Sequence, residues 1–382
     1  MSEMPKSRTA ILLYANPETN ADILYFGEFH APDPFLAIGV GRRRIGVLSP
    51  LEIGRAKKQS GFTDILNLME LRKETESALG IKKPTPADCA VYLANKENIS
   101  TYRVPQDFPL GMARGIEKQG IHIEVDDAPF FPDRLLKNDE QAAAIKAGNA
   151  LSSVGFKLFE SMLKRARADK KGRLVYEGDV LTSERVQTAI AKAILDHGGV
   201  ASNTIVAGGD QACDPHERGS GPLFANELII VDIFPRVSAT CYHGDMTRTY
   251  LKGKASKEQK RLVKTVRKAQ KAALATVRAR VHGHSIHQEV VRVFDEKGYE
   301  TKQVGGTYQG FFHGTGHGLG LEVHEGPRVS PGGGPLKAGM VVTIEPGLYY
   351  PGLGGCRIED VVRVTQDGCE MLSDYSYKWE IA

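Results

Sequence analysis

Residues 311–327 read FFHGTGHGLGLEVHEGP. The stretch holds His313, His317 and His324, the acids Glu322 and Glu325, and glycine at every second position from 314 to 320. So much glycine opposes a helix, and the three histidines are therefore not helical neighbours. Alternating glycine instead predicts an extended segment whose backbone is approached closely by another part of the chain. Histidine is the commonest metal ligand and the side chain that titrates nearest neutral pH. Isolated histidines also serve as ordinary turn or core hydrogen-bonding groups, so the rest of the chain must decide what these three do.

Four acids share an unusual setting. Asp232 ends the apolar run LIIVD, and Asp245 follows a glycine at the start of DMTRTY. Glu345 ends MVVTIE just before Pro346-Gly347, and Glu359 interrupts CRIEDVVRV. A carboxylate carried into a core on an apolar strand is costly unless it is paired, hydrogen-bonded or bound to metal. Hard oxygen ligands with one imidazole suit a divalent ion such as Mn, Co or Zn and do not suggest a thiolate zinc site. Four carboxylates are too much charge for one ion with a single histidine, so two ions bridged by carboxylates are expected. Such a centre makes hydroxide available near neutral pH and polarises a carbonyl, which points to metal-assisted hydrolysis.

The remaining composition excludes little and suggests less. The 382 residues carry 50 basic and 46 acidic side chains, a net charge of +4, with 41% hydrophobic and 25% charged residues. This near balance offers no electrostatic case for nucleic acid or membrane binding, and Arg42–Arg44 reads as a solvated turn. Five scattered cysteines without a CxxC pair suit reduced thiols and a cytoplasmic location. No window approaches the length of a membrane span.

Along the chain, residues 10–14, 23–26, 34–40, 45–48, 89–93 and 121–125 read as strands. Residues 51–60, 62–79 and 110–118 read as helices, so an α/β domain is expected over 1–133. The proline-rich piece DDAPFFPDR, residues 126–134, marks the boundary with a second domain, 134–382. There, helices are expected over 135–165, 182–195, 256–280 and 285–297, the last capped by Ser285. Strands are expected over 228–232 and 241–251, paired as a hairpin, and over 341–345 and 356–365. This is an α+β pattern. His282, His284 and His287 share no helical face and are expected at the surface.

HGTGHGLGLEVHE, GMVVTIEPGLYY, RIED and GDMTRT together resemble the Xaa-Pro aminopeptidases and prolidases, whose pita-bread catalytic fold is shared with methionine aminopeptidases. The resemblance covers roughly residue 135 to the end, and the N-terminal half is similar to the creatinase-type domain that precedes it. It implies a dinuclear metallopeptidase cleaving before proline at the second position of a peptide, as an aminopeptidase or a dipeptidase, and a homodimer. It implies Asp232, Asp245, His317, Glu345 and Glu359 as metal ligands, with Asp245 and Glu359 bridging and Mn the expected ion ahead of Co or Zn. Glu345 would also handle the proton of the attacking water, and His324 would stabilise the tetrahedral intermediate as a charged donor. His216 and His313 would contact the substrate, and Tyr349 would help line the proline pocket. Arg357, two residues before Glu359, would hold that carboxylate from the same strand face.

His317 and His324, seven apart, would fall on opposite faces of a simple strand, so a bend or bulge between them is required. The chain departs from the family at DIFPRVSATCYHGD. Phe234 stands where a glycine is usual, and the two aspartates are thirteen positions apart where ten or eleven is usual, which bears on specificity. Two other functions remain: a non-catalytic pita-bread protein that binds a peptide or protein, and a creatinase-like hydrolase of a non-peptide substrate.

Overall fold

The computed structural model describes residues 8–382. The chain forms two compact units, Met1–Pro132 and Asp133–Ala382.

In the first unit, strands pair in the order Asp64–Asn67, Arg43–Leu48, Phe35–Val40, Arg8–Ala15, Ile99–Val104, His122–Val125. Antiparallel pairs at the centre give way to parallel pairs on both sides. The strand Phe35–Val40 shows why these runs are continuously apolar. Leu36, Ile38 and Val40 pack into one core cluster, and the alternate Phe35 and Ala37 into another. The sheet thus buries both faces, and period-two alternation has no polar side to show.

Two expected strands are helices. Residues 23–26 lie in Ala21–Gly27, whose Asn20 side chain accepts the Ile23 N–H at 3.0 Å. Residues 89–93 lie in Pro86–Glu97, opened by a reciprocal Thr85–Asp88 capping box and Pro86 in the first turn. A short apolar run does not itself distinguish helix from strand, and here the caps decide. The region 62–79 is divided into a strand, Asp64–Asn67, and a helix, Leu68–Leu79.

The second unit is built on the helix Asp139–Arg165, capped by Asn138 and Gln141, with acids in its first turn and Lys164 and Arg165 in its last. That charge order complements the helix dipole. One sheet runs Ile205–Gly208, Ile229–Ile233, Met246–Lys252, Glu380–Ile381. A second runs Glu325–Val329, Gly316–Gly318, Val341–Ile344, Asp360–Val364, Cys369–Met371. Helices Lys257–Thr276 and Gly283–Glu296 bury Leu262, Val266, Ile286, Val290 and Phe294 in one core with Val342, Ile344 and Val362. Phe156, Phe159 and Ile190 do the same with Val231, Ile233 and Tyr250.

Three local expectations change here. The helix near 285 begins at Gly283 with His282 at its cap, so Ser285 is inside the first turn. His287 is buried and shares a 3.0 Å hydrogen bond with the Thr315 hydroxyl. The run 356–365 is two strands, Gly354–Arg357 and Asp360–Val364, with Glu359 in the break between them. No helix among the described residues is long and apolar enough to cross a membrane.

Candidate metal centre

The five expected ligands arrive from strands or strand ends. Asp232 lies in Ile229–Ile233, where it pairs with Ile205 on one side and Thr247 on the other. Asp245 immediately precedes Met246–Lys252, and the two aspartate strands are antiparallel, so the long connection between them closes as a wide hairpin. Glu345 follows Val341–Ile344, and Glu359 precedes Asp360–Val364. At these ends the ladder stops and a carboxylate can turn toward open space.

His317 is the middle residue of Gly316–Gly318. The close backbone approach expected of this stretch is observed. A Cβ on Gly316 would lie 1.9 Å from the Thr343 carbonyl oxygen, and one on Gly318 1.8 Å from that of Gly326. The chain then turns back through Glu325–Val329, with a register shift between His317 and Gly318. This return brings the His324 ring to 4.4 Å from the His317 ring, centroid to centroid, at 82°. The required bend is therefore a hairpin with a bulge.

Asp245 is 4% exposed, and His317 and Glu359 are 7% and 2% exposed. His317 Nδ1 faces its neighbour's Gly318 carbonyl at 3.0 Å, which places the ring proton on Nδ1. Its Nε2 faces Asp245 Oδ2 at 3.6 Å and Glu345 Oε1 at 3.4 Å. One atom each from Asp245, His317 and Glu359 fall within 4.8 Å of one another. Burial lowers the His317 pKa, so a neutral nitrogen lone pair is aimed at carboxylate oxygens. Burial, reinforced by neighbouring acids, raises the pKa of Asp245 and Glu359 well above the carboxylate range and that of Glu345 to about 7. Asp232 Oδ1 is buried without a hydrogen-bond partner. A lone pair facing anions, mutually repelling carboxylates and an unsatisfied oxygen are reconciled by divalent cations, and the donor set suits them.

Supporting groups fix these ligands, and several had no place in the sequence reading. Arg357 Nη2 donates to Asp232 Oδ2 at 2.7 Å, so it serves Asp232 and not Glu359. The reason is the strand break, which cancels the same-face relation between 357 and 359. Glu359 is held by the Thr247 hydroxyl at 2.8 Å. The adjacent Asp360 accepts from Arg248, Gln270, Ser373 and Tyr377 at 2.6–2.8 Å. Thr247 and Arg248 were visible inside GDMTRT but had no role assigned.

Asn149 Oδ1 accepts the Asp245 N–H at 2.9 Å from inside the long helix. The signal for it was a polar residue four after the core residue Ile145. Beside it, a Cβ on Gly148 would lie 2.4 Å from the Gly244 nitrogen. Gly148→Ala should therefore push the Asp245 loop away and destabilise the fold by about 1–3 kcal/mol, the usual scale for overpacking. Denaturant unfolding and bound-metal content should fall together. An unchanged midpoint would show that the contact yields freely.

The remaining candidates surround a cavity of about 890 Å³ lined by all five expected ligands and by His216, His313, His324, Arg328 and Arg357. His313 Nδ1 lies 2.6 Å from the Gly314 carbonyl and its Nε2 2.8 Å from the Tyr349 hydroxyl, so both ring nitrogens are engaged. Burial and the Arg357 guanidinium hold its pKa near about 3. Tyr349 is fully buried and also accepts from Arg357 Nη1 at 3.1 Å. It therefore sits behind the cavity wall, not in it, and joins His313 to Arg357 and Asp232. Partial burial, with His317 and Arg328 nearby, lowers His324 to about 4. At neutral pH it is a neutral N–H donor instead of the charged one expected. Its loop is anchored by Glu325, which is paired with Lys137 and with Arg134 at 3.1 Å.

Residues 142–366 match metallopeptidase family M24, more than half of the 382-residue chain. The chain belongs to this family. It is 34% identical over 246 residues to an uncharacterized peptidase of Staphylococcus aureus strain MSSA476, covering 63% of each chain. The match thus spans less than two thirds of that relative's length. A Xaa-Pro dipeptidase of Pyrococcus furiosus is 36% identical over 175 residues, 45% of this chain and 47% of that one. Among solved structures, the X-Pro aminopeptidase of Thermotoga maritima MSB8 superposes with a TM-score of 0.81 at 24% identity, covering 98% of this chain and 97% of that one. The Xaa-Pro dipeptidase of Bacillus anthracis gives 0.81 at 22%, covering 98% and 95%. The pita-bread fold inferred from the motifs is therefore the fold of this M24 chain.

The shifted carboxylates give a stability test of the centre. Asp245, Glu345 and Glu359 favour their protonated forms in the folded chain, so their contribution is full below the ordinary carboxylate pKa. It is lost as pH rises through the raised folded values. Buried histidines such as His313 and His317 act oppositely, but only below their ordinary value of 6.5. Between pH 6.5 and about 8, the Tm of the chelated M24 protein should fall, and bound divalent metal should suppress the fall. A flat chelated profile would contradict the carboxylate cluster.

Proposed function

We propose that this chain hydrolyses the peptide bond between an N-terminal residue and proline, using two divalent ions held by Asp232, Asp245, His317, Glu345 and Glu359. The observation that carries the reading is the neutral His317 Nε2 aimed at Asp245 and Glu345, beside the unsatisfied Asp232 Oδ1. Asp245 and Glu359, both deeply buried, would be shared between the two ions, and Mn is the expected ion. When bound, the ions supply a water that ionises near neutral pH and a polarised substrate carbonyl.

The chain's own groups do the rest. Glu345 lines the cavity beside His317 and takes a proton from the attacking water, returning it to the proline nitrogen. His324 lines the cavity and donates its N–H toward the oxygen on which negative charge develops. Arg357 orients Asp232, and Tyr349 fixes the tautomer of His313 by occupying Nε2. With both nitrogens engaged, His313 meets substrate through its ring, and His216 offers a polar contact across the same cavity. A proline amide, which lacks an N–H and has a fixed φ, is a poor substrate for peptidases that hydrogen-bond that group. A pocket beside the centre is suited to it. The names of the superposing Thermotoga and Bacillus proteins support the same substrate.

The test is hydrolysis of Ala-Pro, Ala-Pro-Ala and Ala-Ala by metal-stripped protein with Mn, Co or Zn restored. Cleavage of the Xaa-Pro bond that depends on added metal is expected. Cleavage insensitive to chelation, or equal attack on Ala-Ala, would overturn the proposal.

A further inference from the structure

The long connection between the two aspartates leaves an aromatic side chain at the centre that none of the roles above uses. Phe234 lies two residues beyond Asp232, just past the end of the strand Ile229–Ile233. Both line the cavity. On the neighbouring strand, Ile205 stands directly opposite Asp232. Asn203 and Ile205 line the cavity as well. Phe312, packed against the core cluster that contains Ile205, contributes a further apolar lining residue.

The Phe234 backbone is held on several sides. The Ser152 hydroxyl donates to the preceding Ile233 carbonyl at 2.8 Å, and the Gly244 N–H donates to the following Pro235 carbonyl at 2.9 Å. The His243 ring is hydrogen-bonded to the Phe234 backbone itself. Pro235 is buried. The pinned backbone holds the half-buried Phe234 ring at the cavity wall, where its volume limits the space beside Asp232.

We propose that Phe234 is a specificity-determining residue. With Ile205 and Phe312 it forms an apolar subsite beside Asp232 that accepts a short apolar substrate side chain and rejects long or branched ones. This inference rests on the Xaa-Pro reading and names the class of Xaa residue it favours. Discrimination in such a pocket follows volume, and one methylene in an apolar site changes kcat/KM by roughly 10- to 200-fold.

The experiment compares kcat/KM for Ala-Pro, Leu-Pro and Phe-Pro in wild type, Phe234→Leu and Phe234→Ala, each loaded with Mn. Thermal melts and metal content confirm that each variant is folded and loaded. Wild type should prefer Ala-Pro. The Phe-Pro to Ala-Pro ratio should rise by about tenfold or more in Phe234→Ala, with a smaller rise in Phe234→Leu. If Phe234→Ala fails to fold, the Leu variant carries the test. Wild type that prefers Phe-Pro, or ratios that stay within about twofold across folded variants, would overturn the role of Phe234 while leaving Xaa-Pro hydrolysis intact. Wild type that cleaves none of the three would overturn the substrate reading and this inference with it.

Discussion

Asp245→Ala is expected to lose divalent-metal binding and hydrolysis together, with activity falling by about 10⁴-fold or more, the scale of removing a group on which the chemistry depends. Its carboxylate is 4% exposed and lies within ligand distance of both His317 and Glu359. The Asp245 backbone is pinned by Asn149 and by the Gly148–Gly244 contact, which fixes where its carboxylate is presented. Removing it should also relieve repulsion among the remaining acids, so the metal-free variant should melt no lower than metal-free wild type. That combination separates loss of the centre from loss of the fold. Glu359→Ala should behave alike toward metal, but it also strands the Thr247 hydroxyl, so its melting point is less informative. Near-wild-type turnover in folded Asp245→Ala would contradict the bridging role.

His324→Ala should behave differently. The ring lines the cavity next to His317 and lies outside the group formed by Asp245, His317 and Glu359, so metal content should stay unchanged. The rate should drop by about 10²- to 10³-fold, as when one donor to a developing oxyanion is removed. The loss should fall mainly on kcat, because the interaction strengthens only as charge develops. Metal-content measurement with steady-state kinetics checks both parts. Loss of metal would place His324 among the ligands, and an unchanged kcat would remove it from the chemistry.

The four expected acidic ligands were legible because each contradicted its surroundings. Asp232, Asp245, Glu345 and Glu359 stand out as acids in apolar runs, and that contrast survives without coordinates. His317 could be separated from His313 and His324 only by resemblance, since all three share one glycine-rich stretch. The hairpin that returns His324 to His317 depends on a bulge and on the Thr343 and Gly326 carbonyls approaching the glycines, contacts between segments that no local pattern states.

The errors have equally local causes. Arg357 was assigned to Glu359 by strand alternation, and a two-residue break in the strand redirects it to Asp232. The resemblance implied Tyr349 as a pocket residue, yet it is buried behind His313. Residues 89–93 were read as a strand because the apolar run was weighed above Thr85-Pro86-Ala87-Asp88, a helix-start signature. Asn149 reaches Asp245 across 96 positions of chain. Such long-range positioning is set by packing and leaves only a polar residue on an apolar face as its trace.

Titration of metal-stripped protein with Mn, followed calorimetrically, tests the dinuclear centre most directly. Two ions per chain in wild type are expected, with saturable binding at this centre lost in Asp245→Ala. No saturable binding in wild type, or two ions still bound in Asp245→Ala, would contradict a centre built from these five residues.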